Sequence, residues 1–100
     1  MMNNFDSLTK AIQSRRVVSF YYDGCYRQVE PFLVGQTKSG NVALRAYQIA
    51  GRSNSGKNIG WHLFLIDKIC SLDVSQETFS SMRMDYNPND KAMIVIFSHI

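Results

Sequence analysis

Phe5, Leu8, Ala11 and Ile12 recur at intervals of three and four, the spacing that gathers apolar side chains on one face of a helix. Asn4 precedes this stripe as an N-cap, Asp6 falls in the first turn, and Arg15 and Arg16 close the far end, so both signs of charge complement the helix dipole. The pattern predicts an amphipathic helix over 5–15. A helix of about three turns is not stable alone in water, so its stripe must pack on the rest of the chain.

After residue 16 the period changes from helical to alternating. Val17, Val18, Ser19, Phe20, Tyr21 and Tyr22 are nearly all β-branched or aromatic, and Asp23-Gly24 behind them is a hairpin signal. A second strand is predicted over 26–34, where Pro31 removes a ladder donor and calls for a sheet edge, a bulge or a bend. Lys38-Ser39-Gly40-Asn41 marks a turn, a third strand follows over 42–49, and the glycine- and serine-rich stretch over 51–58 reads as a flexible loop. Further strands are predicted over 61–66 and 69–74. No crossover helix separates the strands, which excludes a parallel βαβ arrangement. The expected fold is mainly β (α+β): five short antiparallel strands in a small curled sheet or barrel, with the helix plugging or flanking it.

The end of the chain carries mixed signals. Ser75 is placed to cap a turn through 79, and Asn87-Pro88-Asn89-Asp90 is a turn from which Asp90 can cap a helix. Met93, Ile96, Phe97 and Ile100 stand at helical spacing, whereas Ile94-Val95-Ile96 is a β-branched run. The spacing predicts a short C-terminal helix, with a strand as the alternative. Either way the uncharged run must pack on the barrel or on a second subunit.

One hundred residues leave room for a single domain, 1–100, with one modest core. Charge is uneven: residues 1–57 carry eight basic and three acidic groups, and residues 58–100 carry three and five. A basic side that attracts phosphates is one consequence, and a solvated surface is the plainer one. Cys25 and Cys70 are too few for a disulfide scaffold or a zinc site and fit a reducing cytoplasm. Cys25 is expected exposed in its turn, and Cys70 is expected to be packed within an apolar strand. No apolar run approaches the roughly 20 residues that span a bilayer, and the first residues lack the order of a signal peptide.

The order of elements carries residues that resemble the WYL domain, a compact Sm-like or SH3-like β-barrel of bacterial transcription regulators and of CRISPR and phage-defence proteins. The likeness covers about 5–79, leaving 80–100 as a C-terminal extension. Leu8, Ala11 and Ile12 resemble its opening helix, and Val18, Phe20, Tyr22 and Gly24 its first strand and turn. Arg27, Val29, Glu30 and Pro31 match its Arg-x-Val-x-Pro stretch; Leu44, Ala46 and Tyr47 match the strand with the naming triplet; Phe64, Ile66, Asp67, Lys68 and Ile69 resemble its Phe-Arg-Leu-Asp-Arg-Ile strand. Val42-Ala43-Leu44 stands where the family has Trp-Tyr-Leu, Leu65 stands at a position usually held by Arg, and Lys68 replaces another. The resemblance implies a regulatory module that binds a nucleotide, a single-stranded nucleic acid or another anionic ligand through basic positions. No helix-turn-helix precedes the domain in this sequence, so major-groove reading of duplex DNA by the chain itself is not expected.

Alternation over 42–49 places Val42, Leu44 and Ala46 on one face and Arg45 and Tyr47 on the other. Arg45 beside Tyr47 suits a phosphate and a stacked base, or simply a surface cation–π contact. Arg27 can reach a ligand oxygen or pair with Glu30, and His62 can contact a phosphate or serve as a partly buried structural histidine. Lys57 and Arg52 flank the loop, where they close over an anion or remain solvated. The candidate ligand-binding set is therefore Arg27, Arg45, Tyr47, His62, Lys57 and Lys68. No nucleophile–base pair, phosphate loop or metal-ligand spacing is present, so the expectation is a non-catalytic module without cofactor or metal. A protein–protein adaptor, including a homodimer, is the alternative.

Overall fold

The structure is a computed structural model that describes residues 2–80 and 82–100. Helix α1 (Asn4–Ser14) is followed by strands β1 (Arg16–Tyr22), β2 (Cys25–Thr37), β3 (Val42–Gly51), β4 (Gly60–Leu65), β5 (Cys70–Thr78) and β6 (Met93–His99), with a 3-10 turn at Ile66–Lys68. The helix begins one residue earlier than its stripe suggests. Asn3, not Asn4, caps it, accepting from the Asp6 N–H at 2.8 Å, while the Asn4 side chain donates to the Ile69 carbonyl and ties the helix to the start of β5. Arg15 adopts the left-handed C-cap conformation, so the basic pair lies past the last turn.

Every strand pairing is antiparallel, in the order β4-β3-β2-β1-β5 with β6 beside β2. The end strands β4 and β5 do not pair with each other among the described residues, so the sheet is six-stranded and open where a closed five-stranded barrel was expected. Asp23 and Gly24 both take positive φ, the geometry of a tight hairpin turn. Pro31 marks a bulge: the β2–β3 register shifts between Pro31 and Leu33. The region from Ser75 belongs to β5 instead of a capped turn, because the strand continues to Thr78 opposite Arg16.

The expected C-terminal helix is strand β6. Residues Leu33–Thr37 of β2 leave one edge unpaired by β1, and the β-branched Ile94-Val95-Ile96 run fills it. Two register shifts in this pairing break simple alternation, which is how the segment mimics a helical spacing. Ile100 N–H extends the ladder to the Phe32 carbonyl at 2.9 Å. The cysteine environments are also reversed: Cys70 is exposed and Cys25 half-buried.

Two apolar clusters form where one was expected. On one face Leu8, Ala11 and Ile12 of α1 pack against Val18, Phe20, Val29, Leu44, Ala46 and Phe64. On the other, Val17, Phe32 and Phe79 are buried, with Tyr47, Ile49, Trp61 and Tyr86 against them. The described residues between β5 and β6, 79–80 and 82–92, lie over this second face as a strap.

Gly35 permits the approach of β6, since a Cβ there would lie 2.5 Å from the Val95 carbonyl oxygen. Gly35→Ala is expected to cost about 1–3 kcal/mol by overpacking and to strip hydrogen-exchange protection from β6 while α1 keeps its own. Unchanged protection in β6 would contradict this packing.

Candidate functional site

Arg45 and Tyr47 do share a face opposite Leu44 and Ala46, as alternation requires. That face is not an open patch, however, because the strap lies on it. The Arg45 guanidinium holds Asp90 through two bonds, Nε to Oδ2 at 2.7 Å and Nη2 to Oδ1 at 3.3 Å. Arg83 from the strap grips Glu30 of β2 in the same manner at 2.8 and 3.0 Å, and its guanidinium rests 4.2 Å above the Tyr47 ring. The Trp61 indole N–H donates to the Met84 carbonyl at 3.0 Å, and Tyr86 stacks on Trp61. Asp90 caps no helix; it accepts from Arg45 and from the Ala92 N–H. The cation and ring expected to receive a ligand therefore secure the chain's own strap.

The opposite face, at the end beyond α1, gathers a second group. Arg27 of β2 stands opposite Phe20 and Gly51, and only 3% of its surface is exposed. It does not pair with Glu30, which is on the other face with Arg83. Its guanidinium carbon lies 5.4 Å from the ring centres of both Tyr22 and Phe64, and its polar contacts are long: 3.4 Å to Gln48 Oε1 and 3.3 Å to the Tyr22 carbonyl. The Arg27 Nε is buried without a partner. His62 of β4, opposite Ala46, stacks on Phe64, and its Nε2 is likewise buried and unpartnered. Burial holds the imidazole below its ordinary value of 6.5, the charges of Arg27 and Lys57 act in the same direction, and the Asn58 and Lys57 carbonyls oppose them.

Arg27 and His62 line one cleft of about 280 Å³, whose walls include Tyr22, Phe64, Asp23 and Asn54. The loop after β3 roofs it. Gly51, at φ 100°, brings that loop against the backbone of Tyr26 and Arg27, where no side chain fits. Arg52 N–H donates to the Tyr26 carbonyl at 3.1 Å, and Gln48 bridges Arg27 to the Arg52 carbonyl. Ser53 Oγ donates to the Lys57 carbonyl, and Asn54 touches Cys25 and the Asp23 carbonyl at 3.4 Å each.

The six candidate residues thus fall in three places. Arg27 and His62 share the cleft with Lys57 exposed on its roof loop, Arg45 and Tyr47 lie under the strap, and Lys68 sits on the 3-10 turn beyond the far end of β4. Gln48 was missed, although it is the polar member of the apolar set Leu44, Ala46, Gln48 and is fully buried. The cleft offers one cationic side chain, Arg27, beside aromatic rings, an arrangement suited to holding an anion. Among the described residues no group of three His, Cys, Asp or Glu side chains converges to hold a metal ion. No family model, no curated protein and no solved structure matches the chain.

The strap's hold on the sheet is pH-sensitive. Burial alone would raise the Asp90 carboxyl, but hydrogen bonds from Arg45 and Ala92 together with the Arg45 charge bring it below its ordinary value of 3.8. Stability from this contact is therefore complete above that value and is lost as pH falls through the lowered folded value. Asp90→Asn is expected to loosen the strap at neutral pH by roughly 1.5–3 kcal/mol and to remove the acid step in Trp61 fluorescence. An acid step that persists unchanged in the variant would place the strap's anchor elsewhere.

Proposed function

We propose that this chain is a non-catalytic ligand-sensing module that holds a small anion in the Arg27–His62 cleft. One observation carries the reading: two residues that line the same cleft each hold a buried nitrogen without a partner, Arg27 Nε on a permanent cation and His62 Nε2. A guanidinium removed from water without a carboxylate partner is costly, and cation–π contacts of about 0.5–2 kcal/mol each offset only part of that cost. An oxyanion between Arg27 and His62 supplies the missing partner. The resemblance to the WYL domain supports the same class of ligand, a nucleotide or another phosphorylated species, and a cytoplasmic role in transcription regulation or phage and CRISPR defence.

Calorimetric titration with adenosine monophosphate tests this. Binding that weakens as salt rises, and a loss of about tenfold or more in Arg27→Met, corresponding to the roughly 1.5–3 kcal/mol of a charged hydrogen bond, are the expected results. Equal affinity in the folded variant would defeat the assignment.

We infer a second, compatible property from β6. This strand pairs with β2 alone among the described residues, and Ile94, Val95 and Phe97 along it are 57%, 43% and 48% exposed. This edge carries neither charge nor proline against strand pairing, and antiparallel pairing with a second copy closes it symmetrically. Light scattering is expected to show a concentration-dependent dimer that Val95→Lys converts to monomer. A wild-type chain that stays monomeric at every concentration would exclude this association.

A further inference from the structure

Resting on the anion-binding reading, we propose that the cleft selects a terminal phosphate, a monoester carried by a mononucleotide or by the end of a strand, over the phosphodiesters within a strand. The depth of the donors is the reason. Arg27 is 3% exposed, its Nε and the His62 Nε2 are both closed off from solvent, and the roof loop lies over them. A ligand oxygen approaches these atoms from the cleft lined by the loop and by Tyr22 and Phe64. A monoester carries its organic part on one oxygen and can lead with the other three. A diester carries chain on two oxygens, so reaching the same depth would drag a second substituent through the mouth.

The donor count points the same way. Arg27 on β2 and His62 on β4 reach the cleft from strands separated by β3. Asn54 at the mouth is the third donor: its amide nitrogen now makes only a 3.4 Å contact to the Asp23 carbonyl, weak enough to exchange for a phosphate oxygen. A monoester has three terminal oxygens to spread among Arg27, His62 and Asn54, where a diester has two.

The experiment is a calorimetric comparison of adenosine 5′-monophosphate, a short 5′-phosphorylated single strand, the same strand without its terminal phosphate, and dimethyl phosphate. Both monoesters are expected to bind at least tenfold more tightly than the two diester probes. Similar affinities for the nucleotide and the phosphorylated strand would show that the phosphate alone is read, and a preference for either would identify the source. His62→Gln should weaken the monoesters and leave the diester probes unchanged. The unphosphorylated strand binding as tightly as its phosphorylated counterpart would overturn the selectivity while leaving the anion site in place. If none of the four probes binds, both fall together.

Discussion

The shared strand β2 is the constraint on which the rest of the structure depends. Its thirteen residues pair with β1 and β6 along one edge and with β3 along the other, so its alternating side chains must be buried on both faces. Val29 and Val34 go to the helix side, whereas Phe32 goes to the strap side. A chain of this length has one helix to cover one face. Irregular chain must cover the other, and it is held there by charged groups because it has no helical stripe of its own. Arg83–Glu30 and Arg45–Asp90 provide that hold, each through two hydrogen bonds in which one partner is largely buried.

This division of labour explains why the cation and ring with the plainest signature do not form an open site. Arg45 and Tyr47 are consumed in fastening the strap, while Arg27, equally available on paper for an ion pair with Glu30, is left without one because Glu30 faces the other way. The sheet thus places a buried cation at the end of the helix-side core, beyond the reach of α1, where Tyr22, Phe64, Gln48 and His62 surround it but do not neutralise it. A residue that sealed the core for packing alone would more economically be apolar. The retained charge stands beside an imidazole whose Nε2 has no partner.

Much of this was readable locally. The helix stripe, the Asp23-Gly24 hairpin, the bulge at Pro31 and the face shared by Arg45 and Tyr47 all follow from short-range period and turn chemistry. What was not readable depends on distant partners. β6 forms as a strand because β2 has an open stretch and Gly35 leaves room there, neither of which is a property of residues 93–99 themselves. The strap's pairs join residues 45 and 53 positions apart, and such pairings leave no local mark. For the cleft, Arg27 and His62 were each visible as candidates, but their convergence needs the β2-β3-β4 register. Gln48 alone could have announced it, as a polar side chain where the alternation demands an apolar one.

Crystals of the full chain, grown without phosphate or sulfate and then exposed to tungstate, decide whether the Arg27–His62 cleft takes an oxyanion. The expected result is a tetrahedral oxyanion within hydrogen-bonding distance of Arg27 Nε and His62 Nε2, with Asn54 turned from the Asp23 carbonyl toward it. Tungstate bound only at Arg52, Lys68 or other exposed cations, with the cleft unchanged, would contradict it.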